Sequence, residues 1–170
     1  MVTRKKTTDA DTKPQHGLKM RLDDMLTISP KTEKQKEFFD AYQQGHYFCA
    51  LSGVAGTGKT YIAFYKALEE VMDKSNPYAK LVIIRSSVQS REMGHLPGDA
   101  EEKMNQFTEP YKQIAAELFK RKDAWDRLVE QGYVEFLSTS FIRGTTFNNA
   151  IVMLDESQNC TMHELDTIIT

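Results

Sequence analysis

The octapeptide GVAGTGKT, residues 53 to 60, constrains this chain more than any other feature. It fits the pattern Gly, any four residues, Gly, Lys, Ser or Thr, in which glycine-rich backbone turns its N–H groups toward a phosphate. With ordinary residue usage, a match in a chain of this length is a chance event on the order of one percent. Its flanks strengthen the reading. HYFCALSG reads as a short buried strand before the loop, and Tyr61, Phe64, Tyr65, Leu68, Val71 and Met72 then recur at helical spacing on one face. Strand, loop and helix in that order form a phosphate cradle: Gly53, Val54, Ala55, Gly56, Thr57 and Gly58 supply backbone, and the helix opening near Lys59 adds its positive end. Lys59 is expected to reach the β- and γ-phosphates, and Thr60 to offer its hydroxyl to Mg²⁺.

Such an ion needs a carboxylate, and AIVMLDESQN offers one at the end of an apolar strand. Asp155 is the expected metal partner, and Glu156 beside it can act as general base toward a water. Standing alone, an acidic pair after a strand would be read as a helix cap. The loop is what gives the pair a task.

The remaining chain fits an α/β fold. The segment SPKTEKQKEFFDAYQQG reads as a helix with Ser29 as cap, Pro30 in its first turn and Gly45 at its stop. AKLVIIR, GYVEFLS and NNAIVMLDE read as strands, a helix is expected from about Glu109 to Gln131, and MHELDTIIT starts another. Alternating strands and helices imply a mostly parallel sheet flanked by helices. Residues 1–27, which include Arg4, Lys5 and Lys6, are too polar to bury themselves and read as a flexible tail, leaving 28–170 as the folded domain. With 170 residues, a formal charge of −2 and 40% apolar composition, one domain is expected. No apolar run approaches the roughly 18 residues of a membrane span, so a cytoplasmic protein without membrane contact is expected. Cys49 and Cys160 lack the spacing of a zinc or disulfide framework.

Taken together, GVAGTGKTYIA, SREMGHLPGDAEEK and FIRGTTFNNAIVMLDESQN resemble the PhoH-like, phosphate-starvation-inducible ATPases, relatives of superfamily 1 helicases; the short polar lead-in resembles the compact versions carried by bacteriophages. The resemblance implies a RecA-like P-loop NTPase core that binds ATP and Mg²⁺, hydrolyses ATP and handles RNA or single-stranded DNA. It implies that Gln35 contacts adenine, although TEKQ from Thr32 also spells a capping box that would employ Gln35 at the helix start. Arg143 is implied in gripping phosphate or nucleic acid, with a surface ion pair as the alternative. Gln158 is implied in sensing the γ-phosphate or orienting water, or else is an exposed polar residue at a helix start. The family usually carries proline after the arginine matching Arg85, where this chain has Ser86, and alanine where it has Ser157. His95, in the turn-rich segment after Arg85, carries no assigned role.

Family members continue beyond the segment matching LDTIIT, so the expectation is an incomplete sheet with its C-terminal sensor and arginine segment absent. Three functions follow from the residues: a Mg²⁺-dependent ATPase coupled to nucleic acid, an ATP-binding module without turnover, and an oligomerisation remnant that binds no nucleotide. A homo-oligomer is compatible with each.

Overall fold

The computed structural model of the chain describes residues 19–86, 100–142 and 144–169. Their elements are α1 (Glu33–Gln43), α2 (Lys59–Met72), β1 (Lys80–Arg85), α3 (Ala100–Phe119), α4 (Ala124–Glu130), β2 (Val134–Ser138), β3 (Ala150–Asp155) and α5 (Met162–Ile169), with short 3₁₀ turns between. The strands form one parallel sheet in the order β2-β1-β3. Parallel strands require crossovers; α3 and α4 supply the one from β1 to β2, while between β2 and β3 the described residues hold the 3₁₀ turn Thr139–Phe141 and no α-helix. The expected α/β architecture with a parallel sheet is what the chain adopts.

Burial of β1 from both sides explains why its sequence reads as an unbroken apolar run. Leu81, Val82, Ile83 and Ile84 all have no exposed surface. Leu81 and Ile83 face a large core built from Phe64, Tyr65, Leu68, Val71 and Met72 of α2, Tyr111, Ala115 and Leu118 of α3, and Trp125 and Leu128 of α4. Val82 and Ile84 face a second cluster holding Ile142, Val152, Leu154 and Ile168. The apolar stripe on α2 is therefore core, and it fastens the helix that begins at Lys59 onto the sheet.

Several expectations are corrected. The helix before the loop is capped by Thr32, whose hydroxyl accepts from the Gln35 backbone N–H at 3.2 Å, so Ser29 and Pro30 precede it. The long helix expected to run to Gln131 is two helices, broken where Lys120 adopts a left-handed φ of 51°. HYFCALSG forms no strand, and Tyr47 and Phe48 stand exposed. A strand exists only where a neighbour takes its backbone hydrogen bonds. Both edges of β1 are already occupied, and residues 46–52 are not added to the outer edge of β2 or β3. The polar tail expected up to residue 27 ends earlier: Met20 and Met25 are buried in the main core, and the Met20 N–H donates to Gln131 Oε1 at 2.9 Å. Leu22 and Ile28 pack against the same core, and the Leu26 N–H donates to the Leu118 carbonyl at 2.8 Å. Arg4, Lys5, Lys6, His95 and Arg143 lie outside the described residues. Among the described residues no helix is long and apolar enough to cross a membrane.

Candidate nucleotide site

α2 begins at Lys59 directly after Gly58, which holds a left-handed φ of 79° and provides no side-chain cap, and its first turn carries no acidic residue. The opening N–H groups of a helix have no intrahelical partner, so this end is a positive, uncapped anion seat. Gly56 has a φ of 77°, and residues 52–57 are exposed, which leaves the loop open to a ligand. Inside the loop the Thr57 hydroxyl donates to the Val54 carbonyl at 2.9 Å. The Lys59 ammonium donates to the carbonyls of Gly53 at 2.9 Å and Val54 at 2.8 Å. These contacts hold the cation against the loop rim, with no carboxylate partner among the described residues, which suits its charge to an arriving phosphate.

Gln35 reaches the loop from α1. Its Nε2 donates to the Thr57 carbonyl at 3.2 Å, while its Oε1 accepts from the Lys31 backbone N–H at 2.7 Å. The side chain thus brackets the helix start and touches the loop together.

β3 delivers Asp155 at its C-terminal end, in register with Arg85 of β1. The Thr60 hydroxyl donates to Asp155 Oδ1 at 3.2 Å, a contact between residues 95 apart in sequence. Donating its proton there leaves the hydroxyl oxygen's lone pairs for a cation. Asp155 accepts two further hydrogen bonds: from the backbone N–H of Glu156 to Oδ1 at 3.1 Å, and from the Tyr111 hydroxyl to Oδ2 at 2.6 Å. Burial, with the Asp155 charge beside it, holds the Tyr111 phenol far above its ordinary range, so the group is a permanent donor. Tyr111 was not among the residues expected at this site. Its place on the apolar face of α3 conceals the polar end of its ring.

Glu156 follows in the left-handed region, with φ 54°. A non-glycine residue there carries strain of about 1 kcal/mol or more, which the surrounding contacts must offset. The turn redirects the chain into a 3₁₀ turn, Ser157–Asn159, where the Gln158 amide donates to Glu156 Oε2. Ser86, just past β1, donates through its hydroxyl to the Asn159 carbonyl at 3.0 Å, a bond that proline could not make. The end of β1 is thereby tied to the turn carrying Glu156 and Gln158.

Mg²⁺ suits the donors present. Thr60 and Asp155 are hard oxygen ligands, and among the described residues no group of three or more His, Cys, Asp or Glu forms a protein-only cage. Magnesium usually takes one or two carboxylates and completes its shell with phosphate and water, which matches that donor set.

A parallel sheet, a glycine loop opening an uncapped helix, and an acidic strand end beside it define the P-loop class of α/β proteins. The family profile described as PhoH-like protein matches residues 27–170. The chain belongs to the PhoH-like family. It is 33% identical over 145 residues to the PhoH-like protein of Bacillus subtilis (strain 168), an alignment covering 85% of this chain and 44% of that relative. It is 32% identical over 145 residues to the PhoH-like protein of Mycobacterium leprae (strain TN), covering 85% and 40%. With Protein PhoH of Escherichia coli (strain K12) it shares 32% over 149 residues, covering 86% and 41%. The chain therefore spans about two fifths of the length of the curated relatives it matches.

Proposed function

We propose that the chain binds ATP with Mg²⁺ and hydrolyses it, with RNA or single-stranded DNA as the coupled partner. The observation that carries the nucleotide part is the Thr60–Asp155 hydrogen bond of 3.2 Å at the foot of an uncapped, lysine-bearing loop. It puts an anion seat and a hard-cation donor pair side by side. The nucleic-acid part rests on the resemblance of the sequence to helicase-related ATPases.

In this mechanism the N–H groups of residues 56–60 hold the phosphate chain, and Lys59 balances charge on the transferred group. Thr60 and Asp155 would hold Mg²⁺, whose chemistry is to neutralise charge between phosphates. Glu156 takes the proton of the attacking water, Gln158 orients that water, and the Gln35 amide recognises adenine from α1. Arg143, outside the described residues, is assigned to phosphate or strand contact.

Phosphate release by the full chain tests the proposal. Lys59→Ala and Glu156→Gln should each lower turnover by roughly 100-fold or more, and turnover surviving both substitutions would overturn it. Adding single-stranded RNA or DNA should raise the rate; no response to either removes the coupling.

A second reading, binding without turnover, draws on the Gln158–Glu156 contact, which engages one oxygen of the base. Calorimetric ATP binding with no phosphate released over hours would favour it.

A further inference from the structure

We infer that Tyr111 is the positioning residue of the metal side of this site, holding the Asp155 carboxylate in the orientation it presents beside Thr60. The inference rests on the ATP and Mg²⁺ reading above and goes beyond it by naming what sets the carboxylate's geometry. An ionised carboxylate has about four acceptor positions. At Asp155 the Thr60 hydroxyl lies 3.2 Å from Oδ1 and 3.4 Å from Oδ2, the Glu156 N–H donates to Oδ1, and Tyr111 donates to Oδ2. Tyr111 makes the shortest of these contacts, 2.6 Å, on the oxygen that Thr60 reaches only at the longer distance.

Tyr111 is built to hold this arrangement. It has no exposed surface, and its ring packs against Phe64 of α2, Trp125 of α4 and Phe136 of β2, at centroid separations of 6.2, 6.0 and 5.8 Å. Three elements therefore fix the ring, and the ring fixes the hydroxyl, at 2.6 Å from Oδ2. Phe64 belongs to the helix that begins at Lys59, so movement of the loop's own helix and movement of Asp155 meet at one aromatic cluster. Outer partners that orient a metal-binding carboxylate typically contribute 10–100-fold to metal affinity.

The test is calorimetric titration of the full chain with ADP in EDTA and in Mg²⁺, for wild type, Tyr111→Phe and Trp125→Phe. Tyr111→Phe should weaken ADP binding in Mg²⁺ by about 10-fold or more and leave binding in EDTA within about twofold. Trp125→Phe, which alters the ring's packing and spares the hydroxyl, should lower the melting temperature and keep the ratio of the two affinities. Equal losses in EDTA and Mg²⁺, or no loss in Mg²⁺, would overturn the inference while leaving nucleotide binding intact. Wild type that binds no ADP in any condition removes both the inference and the nucleotide reading beneath it.

Discussion

Gln35 Nε2 lies 3.2 Å from the carbonyl oxygen of Thr57, so the first helix grips the phosphate loop through one amide. The same amide's oxygen takes the Lys31 N–H, which makes Gln35 the joint between helix start and loop. Gln35→Ala should cost about 1 kcal/mol of stability from the lost helix-start bond and loop tie. It should also bring the ATP-over-GTP preference, measured by calorimetry, close to unity. A retained preference would confine Gln35 to holding the backbone.

Gly58 and Gly56 test the loop's conformation. Both hold φ near the left-handed optimum, at 79° and 77°. A Cβ at Gly58 would meet Gln35 Nε2 at 3.6 Å, ordinary contact, so the cost of alanine there is backbone strain and not a clash. Each alanine variant should lose about 1–2 kcal/mol in denaturant unfolding. Gly58→Asn, whose side chain tolerates this region, should lose less.

Phe64 links loop helix, core and Tyr111. It is fully buried and stacks near Trp125, with centroids 6.4 Å apart. Phe64→Ala should cost about 3–5 kcal/mol, read as a lowered denaturation midpoint at constant slope. Tyr65→Phe removes only a hydroxyl bonded to Glu69 at 2.7 Å and should cost far less.

Acid sensitivity should localise to the start of α4. Hydrogen bonds from Arg121 at 2.7 Å and Arg127 at 2.6 Å hold the Asp123 carboxyl well below the usual aspartate range. A carboxyl depressed in the folded state binds protons more readily unfolded, so its contribution is complete above the ordinary value near ~4 and fades as pH falls below it. The melting-temperature gap between wild type and Asp123→Asn should therefore be widest near neutrality and shrink from about pH 4 downward. A gap that stays constant with pH would show that the two arginines act through packing alone.

How far the sequence disclosed this molecule depended on the range of the interactions. The loop, the helix at Lys59 and the strands β1 and β3 are legible because glycine spacing and apolar periodicity act within a few residues. HYFCALSG carries a strand's composition, but whether it pairs depends on a neighbour the local pattern does not specify. Met20 and Met25 sit among charged residues, and their burial is decided by α3 and α4, about a hundred residues on. Tyr111 stayed hidden because its packing face obeys the helical period, while its hydroxyl meets a residue 44 positions away. The placement of Thr60 beside Asp155 was legible as chemistry, since a metal ligand implies a partner, and the parallel sheet supplies the distance.

That 95-residue separation also orders events on the ribosome. At synthesis rates of about 5–20 residues per second, Thr60 leaves the tunnel roughly 5–20 s before Asp155 does. During that interval a nascent chain owns a phosphate loop with no carboxylate to complete it, and β1 has no β3 to pair with. On the proposed nucleotide reading, ATP cannot act as a full folding ligand until β3 arrives, and only then does it begin to favour the paired strands over the unpaired ones.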